Sequence, residues 1–323
     1  MGGWRRDFRA LRNVEMTDVL PDAHRANWVD AYAPAPLRPW LKLGRFDRPA
    51  GIWLLMLPGW QGAALAAASQ GQWPSPWILL AVFLGAALMR SAGCAYNDIV
   101  DRDFDAKVAR TALRPIPSGQ ISVKGAMAYV AVASLISLGI LLTLGLPAIL
   151  LGVASLALVA AYPFMKRITW WPQAWLGLTF NWGALLGFAA AAGHVSWAAV
   201  LLYPGGVAWT LGYDTIYAVQ DLEDDALVGV KSSARRLGGR VREAVLGFYI
   251  VAFVLAVAAA WRAGLGPLFL PLAGLYAVHL SVQASRVDIA DPAKALRLFK
   301  SNAVTGLLLF AALAAGLWRP MGL

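Results

Sequence analysis

Residues 97–119 read NDIVDRDFDAKVARTALRPIPSG and follow directly on an apolar run over residues 77–96. Four aspartates, Asp98, Asp101, Asp103 and Asp105, fall within eight residues. Lys107, Arg110 and Arg114 come behind them, then a Pro-Ile-Pro-Ser-Gly turn. If the apolar helix continues through this stretch, Asn97, Asp101 and Asp105 stand at i, i+4 and i+8. They then share a face, each about 6 Å from the next. Carboxylates stacked that way repel unless something cationic neutralises them, and oxygen-only ligands suit a hard ion such as Mg²⁺.

A second stretch answers the first. Residues 214–225 read DTIYAVQDLEDD, again at the end of an apolar run. Continued as a helix, it lines up Asp214, Tyr217, Asp221 and Asp225 on one face. Two acid faces that meet make a two-sided clamp for a metal-bound diphosphate. The simpler alternative is that these acids only cap helix ends. Half of the 18 Asp and Glu lie in these two short stretches, more than capping requires.

Composition sets the class. The chain has 323 residues, 59% hydrophobic and 14% charged, which points to a polytopic membrane protein. Nine apolar segments are long enough to span a bilayer: residues 50–69, 77–97, 122–144, 146–164, 174–193, 196–219, 243–263, 266–285 and 301–318. Links on one side are very short, and those on the other are longer and polar. Of the 28 Lys and Arg, 25 fall in the N-terminal arm and the long links or at their edge. That bias places the long links and the N-terminus in the cytosol. The net charge of +10 is therefore a topological bias rather than a nucleic-acid footprint. The single cysteine, Cys94, implies no disulfide framework, and the three histidines are not spaced as metal ligands. Several of the 15 Trp sit at segment ends, as interfacial anchors do.

Two domains are expected: a flexible basic arm over residues 1–40 and a membrane domain over residues 41–323. An interfacial helix is expected near residues 37–46. The arginines of the arm are compatible with a mitochondrial leader, but Asp7 and Glu15 count against one. Met16 is a second candidate start. The expected location is thus the bacterial inner membrane, multi-pass, with the acid stretches facing the cytosol. The mitochondrial inner membrane is the less favoured alternative.

The chemistry follows from the residue types. A diphosphate leaves readily only when its charge is neutralised, by metals bridging phosphate oxygens and by charge-assisted hydrogen bonds. Asp101, Asp105, Asp221 and Asp225 are candidates for the first role. Arg102, Arg110, Arg114, Lys166, Arg167 and Lys231 are candidates for the second, with anchoring at the membrane surface as the alternative for each. Arg90 lies two turns deeper than Asn97 on the same face. A charge at that depth is costly and usually functional, so Arg90 is read as holding an anionic group of a second substrate. Snorkelling to the surface is its alternative. Tyr162 and Asn181 are weaker candidates for the same cavity, since a buried Asn also serves to join helices.

These residues carry a resemblance. Asn97-x3-Asp101-x2-Phe104-Asp105-x2-Val108-x-Arg110-Thr111-x2-Arg114-x4-Gly119 resembles the signature of the UbiA-type membrane prenyltransferases at every specified position. Asp214-x2-Tyr217-Ala218-x2-Asp221-x2-Asp224-Asp225 is similar to the family's other aspartate motif. Residues 162–167, YPFMKR, and 229–232, GVKS, are similar to further family segments. The resemblance extends from about residue 41 to the C-terminus.

It implies an all-α fold of nine transmembrane helices around a central cavity, with a cytosolic cap carrying both motifs. It implies Mg²⁺ at Asn97, Asp101, Asp105, Asp214, Asp221 and Asp225. Lys166 and Arg167 match basic positions of the family, and Arg90 matches one proposed to hold an aromatic acid. The wording of residues 162–167 and 213–225 is most similar to members that prenylate 4-hydroxybenzoate with a polyprenyl diphosphate during ubiquinone synthesis. Members with other acceptors (haem, homogentisate, a naphthoate) are the same-family alternative. A transporter is the alternative from another class. The expected partners are the two substrates and the bilayer, with no nucleic acid.

Overall fold

The structure, a computed structural model, describes residues 27–106, 111–222 and 231–318; the side chains of Lys166 and Asp221 also lie outside the described set. Nine long helices occur among the described residues: α1 (Ala50–Ser69), α2 (Pro76–Asp105), α3 (Val123–Leu141), α4 (Leu146–Ile168), α5 (Pro172–Ala192), α6 (Trp197–Ala218), α7 (Val241–Arg262), α8 (Phe269–Arg286) and α9 (Pro292–Ala315). They coincide, within a few residues, with the nine apolar segments, except that α2 runs on from residue 97 to Asp105 and α9 starts at Pro292 rather than at residue 301. Seven helical runs are long and apolar enough to cross a membrane: α1 to α5, a run over Ser233–Arg262 that contains α7, and α9. The other two, α6 and α8, are diluted by polar side chains that turn into the bundle. Thr210 and Thr215 of α6 and Gln283 of α8 are buried.

Helix α1 is the axis of the bundle, and most of its residues are buried. Its face against α5 is made of glycines. Gly62 lies against the Ala184 carbonyl and Gly187 against the Gly59 carbonyl, with no room for a Cβ at either. Close backbone approach through small residues is how helices pack where lipid removes the hydrophobic drive. Polar clasps tie the far side of the bundle. Gln61 donates to the Gly306 carbonyl at 3.0 Å, and Trp209 Nε1 donates to Asn302 Oδ1 at 2.8 Å. Gln283 accepts from the Tyr249 hydroxyl (2.8 Å) and donates to Ser301 and Thr305 (2.9 and 3.0 Å). Each clasp satisfies polar groups that would be costly to leave unpaired in this setting.

Helices α3 and α4 form the opposite flank and expose Leu135, Ile136, Leu146 and Leu150. Short links join the helices at one end of the bundle. Gly193, left-handed at φ 74°, caps α5 there and lets α6 start within a few residues. The other end gathers the charged segments. Helix α2 does run through the acid stretch, ending only at Asp105, and α4 runs on to Ile168, so Arg167 sits on its last turn. The second acid stretch behaves differently. Regular helix stops at Ala218 and a 3-10 turn covers Val219–Asp221. The winding tightens there; the Asp221 side chain and Asp225, expected on the face of Asp214 and Tyr217, lie outside the described residues.

Residues 28–32 and 38–43 of the N-terminal segment are helical. Trp28 Nε1 donates to the Phe46 carbonyl at 2.7 Å, and Lys42 pairs with Asp30 at 2.7 Å. Arg45 then takes a left-handed backbone, φ 60°, which turns the chain into the start of α1. That turn carries Arg45 and Arg48 to the end of α2.

Candidate active site

A cavity of about 680 Å³ runs between α1, α2, α3, α4 and α5. Arg45, Arg48, Asn97, Asp98 and Arg114 line its charged end; Arg90, Tyr162, Phe180 and Tyr217 line its middle; Leu135, Leu141, Leu144 and Leu156 line its apolar reach. The helix period explains this order. Along α2, Asp98, Arg90 and Ala81 fall on the cavity side at successively greater depth.

At the charged end, three carboxylates of α2 are buried: Asp98, Asp101 and Asp105, exposed by 0%, 1% and 5%. Their spacing of three and four places them along one stripe. Each has an arginine. Arg45 Nη2 grips both oxygens of Asp98, at 2.8 and 3.0 Å. Arg114 Nη1 bridges Asp105 Oδ2 at 2.8 Å and Asp98 Oδ1 at 3.3 Å. Arg167 Nη2 donates to Asp101 Oδ1 at 2.8 Å, while Asn97 Nδ2 donates to Asp101 Oδ2 at 3.1 Å. Arg114 reaches the carboxylates because its loop folds back onto α2, where Thr111 Oγ1 donates to the Asp105 carbonyl at 2.8 Å. Buried charges of this density persist only when paired, and here they are paired.

The structure therefore gathers Asn97, Asp101, Asp105, Arg114 and Arg167 at one place. Lys231 is close by, donating to the Ile168 carbonyl at 3.3 Å, next to Arg167 in the chain. Asp214 is half-buried on α6, one turn before Tyr217, which lines the cavity. Arg102 is not brought in. It lies half-exposed on the other side of α2, 3.4 Å from Asp103. Arg110, Asp225 and the side chains of Lys166 and Asp221 lie outside the described residues. Asn181 does not face the cavity; it donates to Thr210 of α6 at 2.7 Å and joins two helices.

Three site residues escaped the sequence reading. Asp98 was passed over in favour of a stripe phased on Asn97, although 98, 101 and 105 make an equally regular one. Arg45 and Arg48 stand in an R-F-D-R run just before the first apolar segment, and only the left-handed turn at Arg45 aims them at α2.

Arg90 stands apart from the paired arginines. Among the described residues it makes no ion pair with an acid, whereas Arg114, whose Nε is likewise buried and unpartnered, holds Asp98 and Asp105. Arg90 Nε is buried without a hydrogen-bond partner, and Arg90 Cζ lies 5.7 Å from the centre of the Phe180 ring. A stacked cation with an unsatisfied N–H, inside an apolar cavity, has the chemistry to take up an anion.

No group of three or more His, Cys, Asp or Glu is gathered as a metal site among the described residues. The donors at the charged end are nonetheless carboxylate and amide oxygens, the set a hard divalent ion prefers. They already need four neighbouring cationic or amide groups for balance. The residues present fit such an ion by chemistry.

Comparison with known proteins agrees with this geometry. The profile of the UbiA prenyltransferase family matches residues 55–318. The chain is 46% identical over 287 residues to the mouse protein named 4-hydroxybenzoate polyprenyltransferase, mitochondrial, covering 88% of this chain and 76% of the relative. Proteins of the same name from Arabidopsis thaliana and human are 43% and 44% identical, covering 90% and 89% of this chain and 72% and 78% of theirs. Among solved structures, a UbiA homologue from Aeropyrum pernix K1 superposes with a TM-score of 0.67 at 28% identity, covering 80% of this chain and 96% of that one. A UbiA homologue from Archaeoglobus fulgidus, solved bound to GPP and Mg²⁺, shares the fold with a TM-score of 0.62 at 18% identity, covering 86% and 99%.

These names correct one expectation. The relatives are named as mitochondrial proteins, which overturns the bacterial inner membrane read from the sequence. Lys and Arg bias reports only which side of a bilayer a loop stays on, and cytosol and matrix look alike to it. The profile match and the relatives together cover the helical bundle and both ends of the cavity: the chain belongs to the UbiA prenyltransferase family.

Proposed function

We propose that this chain transfers a polyprenyl group from polyprenyl diphosphate to the ring of 4-hydroxybenzoate, ortho to its hydroxyl, a step of ubiquinone biosynthesis. The observation that carries the reading is Arg90: an arginine with an unpaired Nε in the apolar middle of a cavity whose mouth is ringed by paired acids and arginines. The relatives' printed name supplies the acceptor. Residues 41–323 act as one prenyltransferase domain, with all nine long helices across the membrane and the two acid motifs in a cap on the basic side.

Each residue then has a task. Asn97, Asp101, Asp105, Asp214, Asp221 and Asp225 hold Mg²⁺. The ion supplies neutralisation of the diphosphate's charge when bound. Arg114 and Arg167 now sit on the carboxylates that the ion would take. Released from them, they are placed to donate to phosphate oxygens, joined by Lys231 and, from outside the described residues, Arg110 and Lys166. The prenyl tail lies along Leu135, Leu141 and Leu156. Ionisation of the donor's C–O bond leaves an allylic cation beside the ring faces of Tyr162, Tyr217 and Phe180, whose quadrupoles favour positive charge. Arg90 holds the acceptor's carboxylate, so the ring carbon ortho to the hydroxyl meets that cation. The carbon–carbon bond forms and the ring proton then leaves.

The test is an assay in purified membranes with polyprenyl diphosphate, Mg²⁺ and each candidate acceptor, products being read by mass. Prenylated 4-hydroxybenzoate is the expected product. Prenylation of homogentisate or a naphthoate instead, with 4-hydroxybenzoate untouched, would overturn the reading.

A further inference from the structure

Arg90 is seated by a side chain that is missing. One face of its guanidinium has the Phe180 ring. On another side stands Gly51, in the first turn of α1. A Cβ built on Gly51 meets Arg90 Nε at 2.6 Å, Nη2 at 3.0 Å and Cζ at 3.2 Å. The first is closer than packed atoms tolerate, the other two are tight, and all three atoms belong to one rigid plane that moves as a unit. Nothing in the backbone asks for glycine here, since Gly51 is not among the glycines with positive φ. Glycine also weakens a helix relative to alanine. What it provides is room. The atoms in its way are the end of a flexible side chain, so alanine would fold and displace Arg90.

We infer that Gly51 is a specificity-determining position: its lack of a side chain lets the Arg90 guanidinium sit between α1 and Phe180, with its cavity-facing edge left for an acceptor's carboxylate. The inference rests on the proposed role of Arg90. It makes the wall opposite Phe180 part of the selection of aromatic acids over neutral phenols. Gly51 is a positioning residue that acts through Arg90.

The experiment compares Gly51→Ala, Arg90→Ala and Gly139→Ala in membranes. Gly139, on α3, is a control, because a Cβ there meets nothing within 4 Å. Gly51→Ala is expected to raise the KM for 4-hydroxybenzoate about tenfold, the loss of roughly one good hydrogen bond, with the KM for polyprenyl diphosphate within about twofold. The rate with a phenol lacking the carboxylate stays the same, and Gly139→Ala changes nothing. Arg90→Lys costs less in the Gly51→Ala background than in the parent, because the slimmer ammonium no longer meets the added Cβ. If Gly51→Ala fails to accumulate, adding Arg90→Lys is expected to restore accumulation, because the slimmer ammonium clears the added Cβ; no restoration overturns the inference. An unchanged acceptor KM in Gly51→Ala, with a raised one in Arg90→Ala, overturns this inference alone. Equal rises for both substrates overturn it as a merely structural effect. If neither variant moves the acceptor KM, the role proposed for Arg90 falls as well.

Discussion

The cavity's mouth and its middle treat arginine in opposite ways. At the mouth Arg45, Arg114 and Arg167 are spent on Asp98, Asp105 and Asp101 at 2.8 Å each. Two turns deeper, Arg90 is left with an unpaired Nε against an aromatic ring. Paired charges hold a site together and can exchange partners when another ion arrives. A cation left unpaired in an apolar setting is maintained at a cost, which is recovered when an anion binds. The contrast separates a mouth of paired charges from the deeper place where the proposed function puts recognition of the acceptor.

The largest effect should come from breaking the mouth at its centre. Asp98 is fully buried and shared between Arg45 and Arg114. Asp98→Ala leaves both guanidiniums without that carboxylate, a change expected to cost about 3–5 kcal/mol of stability. It should appear as a large fall in the detergent-solubilised protein's melting temperature. A melting temperature equal to that of the parent would show that the triad contributes little.

Asp101→Ala should act on rate more than on fold, because its partner Arg167 is half-exposed and stays hydrated when the carboxylate is removed. Loss of a metal-bridging carboxylate is expected to lower kcat roughly 100-fold or more, with a near-normal melting temperature. Turnover at the parent rate, in this variant or in EDTA, would contradict a metal–diphosphate mouth. At the small end stands Arg102. It is half-exposed and reaches only Asp103, so Arg102→Ala should change kcat and both KM values by less than about twofold. A tenfold loss would return Arg102 to the phosphate-binding set.

How much of this was legible follows from what each signal measures. Apolar length marks the helices well, because lipid punishes any other backbone, and all nine segments are helical. Periodicity also carries Arg90, Asn97 and Tyr162 to the cavity. It fails where a single residue decides. Phe180 and Asn181 differ by about 100° around α5, and only packing tells that Phe180 faces the cavity while Asn181 meets Thr210. The second acid stretch is harder to read, since regular helix gives way to a 3-10 turn at Val219–Asp221, and Asp225 lies outside the described residues. Arg45 was hidden for a third reason. Its role depends on a left-handed turn at a non-glycine residue, which local sequence does not announce.

The central claim is that Arg90 holds the acceptor's carboxylate, and steady-state kinetics of Arg90→Ala test it most directly. The account predicts a KM for 4-hydroxybenzoate raised roughly 10- to 150-fold, the loss of one charge-assisted hydrogen bond, with an unchanged KM for polyprenyl diphosphate. A KM that rises for the diphosphate alone, or for neither substrate, would contradict it.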